Sequence, residues 1–115
     1  MKRRLLGNTG VEVSEVGFGA WQIGADWGTE MPKELAISSL HAAVDAGINF
    51  IDTADVYGAG RSETIIGEFL KERDEAIHVA TKMGRGSAEW TDGYDDIAKA
   101  AEDSCKRLGV DALDL

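Results

Sequence analysis

The sequence is poor in cysteine, and this excludes several classes of protein at once. Cys105 is the only cysteine, so no disulfide can form within the chain. One cysteine and two scattered histidines, His41 and His78, are too few to build a metal cluster of the cysteine and histidine type. Cys105 also falls on the apolar spacing of a predicted helix, which indicates packing rather than a reactive thiol.

Long apolar runs and an excess of basic charge are also missing. The N-terminal residues MKRRLL carry basic side chains, but the apolar run before Gly7 is only two residues long, too short for a secretory signal. No stretch approaches the length needed to cross a membrane. The formal net charge is −9, and an acidic surface repels nucleic-acid backbones and anionic lipids. We therefore expect a cytoplasmic protein that binds neither nucleic acid nor membranes.

What the chain does contain is a regular succession of strand-like and helix-like segments. The 115 residues are 43% hydrophobic and 29% charged, the composition of one ordinary globular domain. Glycine and proline separate the segments. Strands are predicted at residues 3–14, as a hairpin that turns at residues 7–10, and then at 16–20 (buried), 48–51, 77–80 and 110–115.

Three helices are predicted between these strands. Pro32 suits the first turn of the first helix, and Gly47 its end. Ser62 is the predicted N-cap of the second helix. The third helix covers residues 95–108 and closes at Gly109. Helical spacing predicts one buried face on each helix. These faces contain Ala36, Leu40, Ala43, Val44, Ile65, Ile66, Phe69, Leu70, Ile97, Ala101, Ser104, Cys105 and Leu108.

The spacing of the strands, about 30 residues apart, is typical of repeated βαβ units in a parallel sheet. An open doubly wound sheet and a (β/α)8 barrel both fit this order. Residues 17–22, GFGAWQ, nearly match the dinucleotide-binding fingerprint of the first fold. The third glycine is missing and no helix begins there, so we reject that match. A barrel needs about 250 residues, and this chain would supply fewer than half of one.

Polar side chains follow two of the predicted strands, at the end where a barrel carries its active site. Asp52 ends one strand, Tyr57 follows five residues later, and Lys82 ends the next strand. A neighbouring ammonium favours the phenolate form of a tyrosine and so lowers its pKa, while a carboxylate keeps the ammonium charged. Such a tyrosine can protonate a carbonyl oxygen as hydride arrives at the carbon.

Each of these three residues also has a purely structural interpretation. Asp52 is compatible with a loop cap, Tyr57 with a half-buried loop aromatic, and Lys82 with a chain that extends to solvent. The spacing alone leaves a shared site and three separate structural roles equally open.

Motifs that extend over nearly the whole chain favour the shared site. They are TGVEVS at residues 9–14, GFGAW at 17–21, GINFIDTADVYG at 47–58 followed by Ser62, Glu63 and Gly67, VATK at 79–82, and SCKRLGVDALDL at 104–115. In this order they closely resemble the aldo-keto reductase family.

The resemblance implies a fold and an activity. The fold is the N-terminal part of a (β/α)8 TIM barrel, in which residues 1–115 form a partial domain: a hairpin that closes the base, about three βα units and the start of strand four. The activity is NADP(H)-dependent reduction of small-molecule aldehydes and ketones. Tyr57 is implied as the general acid, with Lys82 and Asp52 as the groups that tune it. The implied cofactor contacts are Gly19, Ala20, Trp21 and Asp52.

Three tryptophans keep two interpretations each. Trp21 either lines the pocket or packs, while Trp27 and Trp90 either line the substrate mouth or cover the rim.

Length is where the sequence departs from the family. Members carry a catalytic histidine at the end of strand four, and the sequence stops inside that strand at Leu115. His41 and His78 are expected to lie away from the catalytic rim. We therefore expect residues 1–115 by themselves to be an incomplete, inactive fragment. Two alternatives remain: a non-catalytic regulatory or binding subunit on the same fold, and a short chain that pairs with another fragment.

Overall fold

A computed structural model of the protein describes residues 1–24, 28–84 and 94–115. In this part of the chain, short strands alternate with α-helices as the sequence predicts. The strands are β1 (Arg3–Leu5), β2 (Glu12–Ser14), β3 (Phe18–Gly19), β4 (Phe50–Asp52) and β5 (His78–Ala80). The helices are α1 (Lys33–Asp45), α2 (Arg61–Leu70) and α3 (Tyr94–Leu108), and a single 3-10 turn covers Gln22–Gly24.

The first two strands form the predicted hairpin. β1 and β2 pair antiparallel, with Arg3 opposite Ser14. The amide of Leu6 donates to the carbonyl of Val11 at 2.8 Å and closes the turn. Gly7 in that turn has a φ of +56°, a conformation that glycine adopts without steric cost.

The buried side chain of Asn49, which is 3% exposed, attaches this hairpin to the start of β4. Its Oδ1 accepts a hydrogen bond from the amide of Ser14 at 2.7 Å, and its Nδ2 donates to the carbonyl of Glu12 at 2.9 Å. The amide of Asn49 in turn donates to Ser14 Oγ at 3.2 Å. These bonds place the hairpin at the N-terminal end of the sheet, where the implied barrel has its base.

The remaining strands form a parallel sheet in the order β3-β4-β5. The register places Gly19 beside Asp52 and Asp52 beside Ala80, so the strands end at the same edge. The three helices pack in sequence order, α1 on α2 and α2 on α3. The core contains Ala20, Ile23, Ala36, Leu40, Ile51, Ile65, Ile66, Phe69, Val79 and Leu108. The described residues form an open α/β layer and do not close a barrel on their own.

Two helices end in the same glycine motif, as predicted at Gly47 and Gly109. Both glycines have positive φ, +98° and +68°. In each case the amide after the glycine donates back to a carbonyl five residues earlier, the pattern of a Schellman motif. The bonds are Ile48 N to Ala43 O and Val110 N to Cys105 O, both 3.1 Å long.

Several local predictions were wrong at the ends of elements. Val16 is 55% exposed, not buried, because the pairing of β3 with β4 begins only at Phe18. Ile97 is 41% exposed, because the buried contacts of α3 fall in its C-terminal half, at Ser104 and Leu108. Pro32 lies immediately before α1, at its N-cap position.

The predicted strand at residues 110–115 is absent from the structure, where these residues are irregular. The amide of Thr81 nevertheless donates to the carbonyl of Leu115 at 3.0 Å, and Asp114 Oδ2 accepts from the amide of Val79 at 2.9 Å. The segment therefore lies along the edge of β5 without a regular ladder. None of the described helices is long and apolar enough to cross a membrane.

Replacing Asn49 with alanine should loosen the hairpin. We expect Asn49→Ala to lower the free energy of unfolding by about 1–3 kcal/mol, because the amide of Ser14 stays buried without a partner. Urea denaturation measures the change. Asn8→Ala, in the exposed turn, is the control and should shift the value by no more than about 0.5 kcal/mol. Equal losses in both variants would contradict the role of Asn49.

Candidate active site

The C-terminal edge of the parallel sheet carries the predicted catalytic residues. Asp52 is the last residue of β4, and Lys82 lies two residues beyond β5. Tyr57 lies in the segment 53–60, here called the Tyr57 loop, which connects β4 to α2. Because the register aligns the ends of β4 and β5, the side chains of these residues start from neighbouring positions on one rim.

The ammonium of Lys82 joins the three residues. Its Nζ donates to Asp52 Oδ1 at 2.5 Å and to the backbone carbonyl of Thr53 at 2.8 Å. The distance from Nζ to Tyr57 Oη is 3.4 Å, at the long end for a hydrogen bond. The same nitrogen lies 5.1 Å from the centre of the Tyr57 ring. The structure therefore brings Asp52, Tyr57 and Lys82 into direct contact, and their catalytic roles stay a prediction.

The charge on Lys82 is favoured by its partners. Partial burial acts to lower the pKa of Lys82, but the hydrogen bonds that Lys82 donates to Asp52 and Tyr57, together with the negative charge of Asp52, outweigh it. The pKa is raised above its ordinary value of 10.5, so Lys82 is a cation at neutral pH. The side chains of Lys82 and Asp52 are 51% and 46% exposed, so solvent screens the ion pair.

The end of β3 supplies the predicted cofactor contacts, in three different environments. Gly19 is exposed, with no heavy atom within 4 Å of the position of a Cβ. Trp21 is 40% exposed, and its ring stacks on Tyr57 with centroids 6.2 Å apart. Ala20 is fully buried, and its amide and carbonyl bind Asp52 O and Ser62 Oγ. Gly19 and Trp21 thus lie open at the rim, whereas Ala20 lies beneath it. The cofactor roles stay predictions.

The Tyr57 loop is held by direct backbone packing against the 3-10 turn. A Cβ on Gly58 would lie 1.9 Å from the carbonyl oxygen of Gly24, and a Cβ on Gly24 would lie 2.6 Å from the carbonyl carbon of Tyr57. Gly58, Ala59 and Gly60 all have positive φ, which non-glycine residues such as Ala59 adopt only at a cost. The loop is therefore compact, and no side chain separates it from the turn.

The side chain of Arg61 adds a second restraint to this region. Its guanidinium donates to the carbonyl of Ile23 at 2.5 Å and to that of Met31 at 2.6 Å. A longer contact of 3.5 Å joins it to Glu30. Arg61 therefore connects the start of α2 to the 3-10 turn and to the residues just before α1.

The structure corrects the predicted role of Ser62. Gly60, with a φ of +95°, is the N-cap of α2, and no side chain caps the helix. Ser62 lies inside the first turn and is fully buried. Its hydroxyl binds Thr53 Oγ1 and the carbonyl of Ala20 instead of a helix amide. The hydroxyl therefore bonds to buried partners 42 and nine residues away and does not take the capping position that local spacing suggests.

The sequence contains no local signal for the supporting roles of Gly24, Gly58 and Arg61. The glycine-rich loop was visible in the sequence, but the close approach of Gly24 depends on tertiary structure and leaves no local pattern. Glu63 was noted only as part of a family motif. The structure shows it fully buried and bonded to Thr81 and Arg107.

A small cavity adjoins the three residues. Its volume is about 160 Å³, and it is lined by Ala54, Asp55, Val56, Tyr57, Lys82 and Met83. Oδ1 of Asp55 is buried and has no hydrogen-bond partner among the described residues. Val56 and Met83 give the cavity apolar side chains, and Asp55 is the lining residue that carries the buried oxygen.

The other polar candidates lie elsewhere. His41, in α1, binds Glu72 at 2.8 Å and meets the ring of Phe69 edge-on. His78 begins β5, at the opposite end from the rim. Trp27 and Trp90 lie outside the described residues. Among the residues that the structure describes, no group of three histidine, cysteine or acidic side chains could hold a metal ion.

Known proteins share both the sequence and the fold of this chain. The sequence profile of the aldo/keto reductase family matches residues 15–115. The chain belongs to the aldo-keto reductase family. This confirms the family resemblance and, with the structural matches below, the assignment of the chain to the N-terminal part of a TIM barrel.

Three relatives illustrate the similarity. An uncharacterized oxidoreductase of Bacillus subtilis, YqkF, is 36% identical over 100% of this chain and 38% of its own length. The structure of a glycerol dehydrogenase from Gluconobacter oxydans superposes with a TM-score of 0.79 at 38% identity, covering 96% of this chain and 37% of the other. The structure of an aldo-keto reductase from Klebsiella pneumoniae in complex with NADPH superposes with a TM-score of 0.74 at 27% identity. The match covers 90% of this chain and 34% of the other. The chain thus spans well under half of each relative.

The raised pKa of Lys82 predicts a specific pH dependence of stability. The folded state binds the Lys82 proton more tightly than the unfolded state does. The ion pair therefore contributes fully to stability below pH 10.5, the unfolded pKa, and this contribution disappears as the pH rises through the higher folded pKa. Asp52→Asn should therefore destabilise the protein at neutral pH but not at pH values above the folded pKa of Lys82. The expected loss is about 1 kcal/mol or less, because the pair is half exposed.

Chemical denaturation from neutral to alkaline pH checks this dependence. Asp74→Asn, which alters an exposed aspartate away from the rim, is the matched control. Its difference in unfolding free energy from wild type should not change as the pH rises through 10.5. A constant difference between wild type and Asp52→Asn at every pH would contradict the ion pair.

Backbone packing predicts a contrast between two glycines. Gly24→Ala should lower the unfolding free energy by about 1–3 kcal/mol, because its Cβ meets the backbone of Tyr57 and Gly58. Gly19→Ala is the control, since open space surrounds its Cβ position. Urea denaturation of both variants measures the difference, and a tolerated Gly24→Ala would show that the loop and the turn are not in contact.

Proposed function

We propose that this sequence carries the Asp-Tyr-Lys part of the active site of an NADP(H)-dependent oxidoreductase that reduces aldehydes and ketones to alcohols. The observation that supports this most strongly is the position of Lys82 Nζ, in contact with both Asp52 and Tyr57. That arrangement has a direct chemical use in carbonyl reduction and no evident need in packing, since the groups are half exposed.

Tyr57 is the proton donor in this proposal. As the carbonyl carbon gains hydride, negative charge develops on its oxygen, and the Tyr57 hydroxyl transfers its proton there. Lys82, held as a cation by Asp52, stabilises the phenolate that remains. In the direction of alcohol oxidation, the same phenolate removes the proton.

The residues of the rim are compatible with a nicotinamide cofactor. NADPH, when bound, supplies the hydride, and one relative has been solved in complex with it. Gly19 leaves open space at the end of β3, and the exposed ring of Trp21 lies beside Tyr57. These two residues and Asp52 are the proposed contacts on this part of the chain, with Ala20 supporting them from below. The cavity lined by Val56 and Met83 is the proposed start of the substrate site.

We further propose that residues 1–115 by themselves do not catalyse turnover. The relatives that they match are more than twice as long. The family resemblance implies that a catalytic histidine and most of the cofactor contacts belong to later segments. Activity is therefore to be tested in the gene product that contains this sequence, with residues 1–115 alone as a separate sample.

Tyr57→Phe is the decisive substitution. In that gene product, with NADPH and 4-nitrobenzaldehyde, the variant should lose about a hundredfold or more of kcat, because no group remains to protonate the oxygen. Loss of NADPH absorbance measures turnover, and cofactor binding should change little. Tyr94→Phe is the matched control, since Tyr94 is the first residue of α3 and lies outside the Tyr57 loop. Equal turnover in Tyr57→Phe and wild type would disprove the general-acid role.

The same assay separates the enzyme from the alternative of a regulatory or binding subunit. Such a subunit would bind NADPH without consuming it, and Tyr57→Phe would leave it unchanged.

A further inference from the structure

The first turn of α2 binds the ends of all three parallel strands. Ser62 and Glu63 are adjacent, and both are fully buried. Polar side chains at such positions are costly unless their hydrogen bonds are satisfied. Here each side chain makes two hydrogen bonds, and three of the four run to residues that directly follow the strands of the sheet.

Ser62 connects β3 to β4. Its hydroxyl lies 3.0 Å from the carbonyl oxygen of Ala20 and 2.8 Å from Thr53 Oγ1. A serine hydroxyl has one hydrogen, and the Ala20 carbonyl can only accept. Ser62 therefore donates to Ala20 and accepts from Thr53, which fixes the direction of both bonds.

Glu63 connects β5 to α3. Its Oε1 accepts from Thr81 Oγ1 at 2.6 Å, and its Oε2 accepts from Nε of Arg107 at 2.5 Å. Arg107 also donates to Ser104 Oγ at 3.2 Å. The buried carboxylate is therefore compensated by a cation and cannot move without breaking contacts on both sides.

The residues that Ser62 and Glu63 bind just beyond the strands are the immediate neighbours of the rim residues. Ala20 precedes Trp21, Thr53 follows Asp52, and Thr81 precedes Lys82. The carbonyl of Thr53 also accepts directly from Lys82 Nζ at 2.8 Å. A displacement of Thr53 or Thr81 would therefore move Lys82 relative to Asp52.

We infer that Ser62 and Glu63 are positioning residues for the proposed active site: they hold Thr53 and Thr81 so that Lys82 stays in contact with both Asp52 and Tyr57. The inference rests on the proposed function for its purpose, but the geometry that it describes can be tested without turnover. Helix packing alone does not require this arrangement, because the core of α2 is already formed by apolar residues, Ile65, Ile66 and Phe69.

The test measures how well Lys82 is held. Formaldehyde in limiting amount, together with a hydride donor, methylates lysine side chains in their neutral form. Peptide mass spectrometry then gives the methylation rate at each lysine. Lys106, whose side chain is 73% exposed, is the internal reference. Thr81→Val removes the hydroxyl while keeping the shape. Lys82 should then react roughly three times faster relative to Lys106, as expected when its pKa falls by about half a unit.

Two further variants separate positioning from general loss of stability. Thr81→Ser restores the hydroxyl and should return the Lys82 rate to that of wild type. Glu63→Gln should raise the methylation rate of Lys82 as Thr81→Val does. If Thr81→Val fails to fold, Glu63→Gln serves as the test in its place. Glu68→Gln, on the exposed side of the same helix, is its matched control and should leave the rate unchanged. An unchanged Lys82 rate in folded Thr81→Val or Glu63→Gln would overturn the inference.

Asp52→Asn distinguishes this inference from the proposed function. It removes the ion pair itself and should raise the Lys82 rate about tenfold, for a pKa change of about one unit. If Asp52→Asn has this effect and Thr81→Val does not, the catalytic trio stands and the positioning role is wrong. If Asp52→Asn has no effect, the ion pair is absent and both are wrong.

Discussion

The register of three very short parallel strands is the constraint on which the rest of the structure depends. β3, β4 and β5 pair over only two or three residues each, yet the register of this pairing determines that Asp52 and Lys82 emerge side by side. A slip of one residue would turn each side chain to the opposite face of the sheet. So short a ladder cannot fix its register alone, and buried polar contacts at both ends supplement it.

These contacts divide the molecule into a stabilising end and a reactive end. At the base, the buried side chain of Asn49 joins the hairpin to β4 through two hydrogen bonds. Near the rim, the side chains of Ser62 and Glu63 form hydrogen bonds with residues just beyond the strands. The half-exposed side chains of Lys82 and Asp52 therefore remain accessible. The satisfied side chains of Ser62 and Glu63 thus lie beneath the groups that are available for chemistry.

The features that the sequence predicted well are those with local causes. The turn at residues 7–10 and the glycine helix ends at Gly47 and Gly109 follow from backbone conformations that few other residues adopt, so a short window suffices. The order of strands and helices followed from their periodicity. The three rim residues came from spacing and a family resemblance together, because spacing alone left their structural interpretations open.

The features that the sequence did not reveal have distant causes. Ser62 has the residue type of an N-cap, but Ala20 and Thr53 draw its hydroxyl inward. Val16 has the apolar character of a core residue, but it lies ahead of the paired part of β3. The backbone contact between Gly24 and Gly58 leaves a consequence for evolution. The atoms that meet there are backbone atoms together with the Cβ of Arg61, so no smaller neighbouring side chain can make room for a larger residue. Both positions therefore stay restricted to glycine for as long as the loop keeps this shape.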